Sequence, residues 1–253
     1  MSTETDILFI SAPVNALVEG IFQAETTIGE IRRHGDFALG TFNHLDGEMV
    51  MIDGQTYQVT GGGDVKPVAD DVHSPFAIAT FFRELSRDDL SAGFESADDL
   101  FAKLQDLLPS QNVMYALRIE GRFSFVRTRS VPRQENYRPL VEITRNQPTF
   151  ERFGIQGSLI GFHTPTFMSA LNVPGIHLQF LSDDRTFGGH LLQCSAGHVT
   201  VRVQILRRLR MDLPTSLAYL TTDFSRDTAS DLVEAEREQQ PVRERAKQGG
   251  NTK

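Results

Sequence analysis

The spacing of apolar side chains changes once along the chain, near residue 113, and the two halves predict different kinds of structure. Before that point, short helical and extended stretches alternate. Val14, Leu17, Val18 and Ile21 recur at near-helical spacing across residues 12–22. Thr27 and Glu30 have the spacing of a capping box, with Ile28 and Ile31 beside them. Residues 41–57 read as turn and strand, punctuated by Gly47 and Gly54. Ser74 followed by Pro75 predicts a helix over 75–86. Ser96 opens a clearer helix, in which Leu100, Leu104 and Leu107 share a face before Pro109 ends it.

After residue 113 the period shortens to two. Residues 114–119 and 122–131, separated by Glu120-Gly121, predict a hairpin in which Phe123, Phe125 and Arg127 alternate with Ser124, Val126 and Thr128. Further strands are expected over 158–162, 175–181, 189–194 and 199–205; in the last, Val199, Val201, Val203 and Ile205 face one way. So many strands suggest a barrel or sandwich. Residues 227–240 predict a closing helix, and the polar stretch after Pro241 predicts a disordered tail over 241–253. The change of pattern divides the chain into residues 1–110 and a strand-rich unit over 111–240.

Length and composition narrow the function more than the fold. At 253 residues with 40% hydrophobic content the chain can bury a proper core, and a formal net charge of -8 opposes non-specific nucleic-acid binding. Arg207, Arg208 and Arg210 cluster at a strand exit and read as a solvated face. One cysteine, Cys194, excludes an intramolecular disulfide and fits a reducing cytoplasm. Residues 1–22 carry Glu4 and Asp6 without a basic segment, so neither a signal peptide nor a membrane span is expected. Gly61-Gly62-Gly63-Asp64 reads as a turn, because it lacks the Lys-Ser/Thr of a phosphate loop.

The candidate chemistry concentrates in Gly175-Ile176-His177-Leu178-Gln179-Phe180-Leu181. Strand alternation sets Ile176, Leu178 and Phe180 on one face and His177 with Gln179 on the other. Polar groups on a buried strand are costly unless partnered. A turn through Asp183-Asp184-Arg185 into Gly188-Gly189-His190 would bring His190 beside His177, so that two imidazoles and an amide oxygen converge on a divalent metal. The competing reading is a set of ordinary, satisfied polar residues at a barrel mouth. Arg127, Arg129 and Arg133 offer a bidentate carboxylate site or, alternatively, an exposed basic edge. Taken alone, Glu48 in the Asp46-Gly47-Glu48 turn, and Glu234 and Glu236 in the last helix, read as solvated acids.

Taken in order, these segments resemble the acetolactate decarboxylase family over residues 14–236. The resemblance rests on Thr26-Thr27-Ile28, on residues 34–49 from His34-Gly35-Asp36 to Asp46-Gly47-Glu48-Met49, and on Thr128-Arg129-Ser130-Val131-Pro132-Arg133-Gln134. Gly161-Phe162 with Thr164-Pro165, residues 175–181, and Asp183-Asp184-Arg185 with Gly188-Gly189-His190 complete it. After Gln134 the family's two residues and Pro-Tyr are replaced by the shorter Glu135-Asn136-Tyr137.

The resemblance implies a mixed, strand-rich α/β fold of two α/β domains, the C-terminal one barrel-like, paired as a cytoplasmic homodimer. It also implies zinc, or another divalent metal, held by two histidines of a His-x-His strand and one after Gly-Gly. His177 and His190 match the first and third of these, while Gln179 occupies the second. Glu48, Arg129 and Glu236 match the family's acid, arginine and C-terminal acid. The implied reaction is decarboxylation of 2-acetolactate to acetoin, with Arg129 on the carboxylate and Glu48 or Glu236 as proton donor; no organic cofactor, membrane or nucleic acid takes part. Two alternatives follow from Gln179. One is an inactive paralogue or small-molecule binding protein with an altered metal site. The other is a decarboxylase for a related 2-hydroxy-3-keto acid.

Overall fold

The computed structural model describes residues 5–135, 140–144, 147–226, 228 and 231–232. Two of the predicted helix starts are built as their side chains require. Thr27 Oγ1 accepts from Glu30 N at 3.2 Å while Glu30 Oε2 accepts from Thr27 N at 2.9 Å, closing the capping box of the helix Ile28–Arg32. Ser96 Oγ accepts from Asp99 N at 3.1 Å at the start of Ala97–Leu107, whose Leu100 and Leu104 are fully buried. Only Val14–Val18 of the segment 12–22 is helical.

The strands in chain order are β1 Ile7–Ile10, β2 Phe37–Thr41, β3 Glu48–Ile52, β4 Gln55–Val59, β5 Val65–Pro67, β6 Ala77–Thr80, β7 Ser86–Leu90, β8 Met114–Arg129, β9 Thr149–Thr164, β10 Gly175–Ser182, β11 Gly188–Leu206 and β12 Arg208–Met211. They form a seven-stranded sheet ordered β12-β1-β6-β2-β3-β4-β5 and a five-stranded sheet ordered β10-β9-β8-β11-β7. A further pairing of β10 with β11 joins the ends of β10-β9-β8-β11 into a closed ring, so the second sheet is barrel-like.

Three expectations are corrected. Residues 75–86 are not a helix: β6 lies between β1 and β2, and all four of its residues are buried. Burial on both faces erases the alternation that would have marked it as a strand. The hairpin at Glu120-Gly121 does not form either. β8 is one strand of 16 residues, paired with β9 along one edge and β11 along the other. Gly121 serves close packing instead of turning, since a Cβ there would lie 2.9 Å from His198 O. The strands expected over 189–194 and 199–205 are likewise one strand, β11, whose register shifts near Ser195 and Ala196 absorb the interruption. The helix expected over 227–240 and the tail lie mostly outside the described residues.

Sheet membership crosses the sequence division at 110/111: β7 edges the second sheet, and β12 runs parallel to β1 in the first. The core explains why the two sheets stay together. One apolar cluster combines Leu39, Val50, Phe76 and Ile78 of the first half with Ala116, Ile160, Phe162 and Leu181 of the second. A second cluster sets Leu100 and Leu104 of the helix Ala97–Leu107 on the other face, with Ile119, Phe123 and Phe180. Each such large side chain contributes about 1.5–3 kcal/mol on burial. Ile28 and Ile31 cover the outer face of the first sheet through Phe9, Ala38 and Met51.

Candidate active site

β10 presents two unlike faces. Leu178 and Phe180 enter the second apolar cluster with Ile176 packed against it, and His177 and Gln179 take the opposite side, facing the core shared by the two sheets. The chain then turns back through Ser182–Phe187. Ser182 N donates to Phe187 O at 2.8 Å, and Asp184 Oδ1 accepts from Ser182 Oγ at 2.6 Å and Thr186 Oγ1 at 2.8 Å. Those hydrogen bonds, Ser182's first, hold the Asp184 carboxyl below its ordinary range. The turn delivers Gly188-Gly189-His190 alongside β10. Gly189 has φ 125°, and a Cβ there would lie 2.5 Å from Arg129 O, so only glycine allows this approach.

The register that results places Gln179 opposite His190 and His190 opposite Arg129, a row across β10, β11 and β8. His177 sits two residues along the same face. Its Nε2 lies 3.0 Å from His190 Nδ1. Arg129, Gln179 and His190 are all buried. Of the three arginines considered, Arg129 lines the pocket, while Arg127 approaches Glu151 at 3.8 Å and Arg133 pairs with Glu135 at 3.2 Å.

Glu48 comes from the other sheet. It begins β3 opposite Thr41 of β2, after a turn in which Gly47 has φ 84°. Thr41 Oγ1 closes that turn by donating to Gly47 O at 2.7 Å. Gln179 Nε2 then donates to Glu48 Oε2 at 2.9 Å, joining the two sheets through their polar residues. The four side chains and Arg129 line a pocket enclosing about 640 Å³, part of it open to solvent. Its remaining wall is apolar and belongs to the shared core, notably Leu39, Phe76, Ile78, Val131 and Val173.

Thr41 and Gln147 also line this pocket, and sequence reasoning did not single them out. Thr41 was legible as the hairpin partner of Glu48; Gln147 carries no such signal. Cys194 is fully buried, and burial pushes its thiol up to about 12, which removes it as a nucleophile. Glu236, like Glu234, lies outside the described residues.

A family profile described as alpha-acetolactate decarboxylase matches residues 8–226. The chain belongs to the alpha-acetolactate decarboxylase family. A family member from Methylococcus capsulatus, named alpha-acetolactate decarboxylase, is 39% identical over 235 residues, covering 90% of this chain and 88% of its own. One of the same name from Methanosarcina mazei is 35% identical and covers 92% and 81%. The crystal structure of alpha-acetolactate decarboxylase from Bacillus subtilis strain 168 superposes with a TM-score of 0.88 at 31% identity, over 92% of this chain and 100% of that one. The strand-rich mixed α/β class expected from sequence is thus that of the decarboxylase family.

Within this decarboxylase fold, no group of three or more His, Cys, Asp or Glu side chains suited to a metal occurs among the described residues. Two imidazoles face each other beside one amide, and the Glu48 carboxyl meets the amide's Nε2. The imidazoles and the amide nevertheless fit a divalent cation. Zinc–nitrogen bonds of about 2.0–2.1 Å set tetrahedral donors roughly 3.3 Å apart, and the facing nitrogens of His177 and His190 lie at 3.0 Å. Gln179 Oε1 is buried with no hydrogen-bond partner among the described residues, an atom suited to an electropositive neighbour.

Proposed function

We propose that this protein decarboxylates 2-acetolactate to acetoin, assisted by a divalent metal, zinc in the first instance. The observation that carries the reading is the convergence of Arg129, Glu48, His177, Gln179 and His190 on one pocket, in a chain of this family. His177, His190 and Gln179 would hold the cation, which supplies Lewis-acid stabilisation of developing negative charge on oxygen.

The chain's own residues account for the remaining demands. Arg129 binds the substrate carboxylate; a guanidinium fork matches its two oxygens and fixes the bond to be broken. Leu39, Phe76 and Ile78 wall the pocket with apolar surface, which suits the release of neutral carbon dioxide better than retention of a carboxylate. When the carbon–carbon bond breaks, its electron pair stays with the hydroxyketone fragment as an enediolate. Glu48, carrying a proton taken up from solvent, delivers it to that fragment to give acetoin, with Gln179 Nε2 fixing one of its carboxyl oxygens. Glu236 is the second acid proposed for the same step.

The test is acetoin release from acetolactate by purified protein, with zinc added and with a chelator. Zinc-dependent acetoin is expected. Its absence from folded, zinc-supplemented protein would overturn the reading in favour of a binding protein, whereas turnover of only another 2-hydroxy-3-keto acid would move the substrate. A homodimer in a cytoplasmic setting belongs to the same proposal. It predicts twice the 28.3 kDa chain mass by light scattering.

A further inference from the structure

The two ends of the Gln179 amide stand in different situations. Nε2 donates to Glu48 Oε2 at 2.9 Å, and the opposite orientation of the amide would set a carbonyl oxygen against a carboxylate oxygen. Glu48 therefore fixes which end is which. Oε1 is left buried, on a side chain 1% exposed, with no hydrogen-bond partner among the described residues. On the same face, His190 is the cross-strand partner of Gln179, and His177 lies two positions along the strand. Their facing nitrogens, 3.0 Å apart, can share one proton or flank one cation.

We propose that Gln179 ligates the site's divalent cation through Oε1, is held for that role by its Nε2 bond to Glu48, and thereby sets the cation preference of the pocket. The proposal deepens the metal-assisted reading given above. An amide oxygen is a neutral, hard donor; an imidazole nitrogen in its place would favour zinc. Carbonyl and carboxylate oxygens suit manganese and magnesium, whereas imidazole suits zinc, copper and iron. One oxygen among the donors therefore narrows the margin by which zinc outcompetes manganese. Gln179 also joins the cation to Glu48 through a single rigid amide, so the cation and the carboxyl occupy related positions on opposite ends of one group.

The test measures binding directly, apart from turnover. The full chain, stripped by chelator, is titrated with zinc and with manganese in competition with a chromophoric chelator, alongside Gln179→His and Gln179→Leu. Loss of a partner that merely orients a ligand costs about 10–100-fold in metal affinity, so exchange of a ligand itself should do at least as much. Gln179→His is expected to tighten zinc about tenfold or more and manganese by less. Gln179→Leu is expected to weaken both by about 10–100-fold. Zinc affinity unchanged in Gln179→His would overturn the proposal, as would a folded Gln179→Leu that binds like the parent. Gln179→His is close in size to the native side chain and decides the matter alone if the leucine variant does not fold. A parent that binds neither cation overturns both this proposal and the metal-assisted reading. The expected binding pattern without acetoin overturns only the activity.

Discussion

Glu48→Gln replaces one carboxyl oxygen by an amide nitrogen and leaves the shape of the side chain unchanged. The carbonyl oxygen that remains can still accept from Gln179 Nε2, which donates to Oε2 at 2.9 Å in the native chain. A hydrogen bond to a charged partner contributes about 1.5–3 kcal/mol and a neutral one about 0.5–1.5 kcal/mol, so the fold should lose roughly 1 kcal/mol. The proton donor is lost entirely. General acid catalysis contributes about 10²–10⁴-fold, equivalent to about 2.7–5.5 kcal/mol of barrier. Turnover should therefore fall by two to four orders of magnitude, on the scale just given, while urea unfolding shows a small shift. KM should move little, because Arg129 and the imidazoles are untouched. The assay pairs acetoin formation under saturating acetolactate with denaturation of the same preparation. A kcat close to the parent's, with the unfolding midpoint unchanged, would refute Glu48 as the proton donor. A large loss of stability would instead make the carboxyl a structural clamp between the sheets.

Arg129→Lys keeps the charge but removes the planar fork; kcat/KM should drop about 10–100-fold, about one charge-assisted bond's worth, mostly through KM, and an unchanged KM would exclude carboxylate binding. Gly161→Ala would place a methyl group inside the contact distance of His177 O, and Phe162 is the strand partner of His177. It should therefore lower both thermal stability and metal affinity, and a variant with parental metal affinity would show that β9 does not position His177. His163 is buried and its pKa is lowered from the ordinary 6.5, burial outweighing the bond between its Nδ1 and Val113 O. The native state therefore keeps it neutral while the unfolded chain takes up a proton. Stability is present above pH 6.5 and is lost as pH falls from there toward the native pKa, with a slope of at most about 1.4 kcal/mol per pH unit. His163→Gln should flatten that slope in urea titrations across this range, leaving the part due to His34, which burial lowers as well; an unchanged slope would assign the pH dependence elsewhere.

What could be read from the sequence was what local chemistry decides. Thr27 with Glu30 and Ser96 before Asp99 are caps whose partners lie within four residues, so their spacing suffices. The alternation in residues 175–181 gave the two faces of β10 correctly, because a strand with one polar face keeps its period of two. β6 failed for the opposite reason: Ala77-Ile78-Ala79 is buried on both sides and carries no period, while Pro75 supplied a helix signal that pairing with β1 and β2 overrode. Glu120-Gly121 looked like a turn because a glycine's need for room is indistinguishable, in sequence, from its need for positive φ. At the site, His177, Gln179 and His190 were legible from one strand and one turn. That Arg129 stands in the same row, and that Glu48 reaches Gln179 from the other sheet, depends on register and on the packing of elements over a hundred residues apart.

That packing also shows why the departure at Gln179 is informative. The row Arg129–His190–Gln179 is fixed inside the second sheet, and a one-residue slip of β10 would exchange His177 and Gln179 for Leu178 and Phe180. Glu48 is fixed independently, by the Gly47 turn and its pairing with Val59 in the first sheet. The apolar cluster shared by the two sheets brings the two constructions into contact, and Ser130 Oγ, donating to Val59 O at 2.7 Å, ties them beside the site. A side chain at position 179 must therefore satisfy two masters at once: the imidazoles of its own sheet and the carboxyl of the other. Glutamine does so with two different atoms, Nε2 toward Glu48 and Oε1 left over. Leucine could meet neither demand. Because the Nε2 bond to Glu48 holds the amide while the spare Oε1 needs an electropositive partner, weakening that bond by Glu48→Gln and replacing the amide by Gln179→His should not be independent. Additive effects of the two changes on zinc affinity would separate Glu48 from the cation; coupling between them would place both on one amide-linked unit.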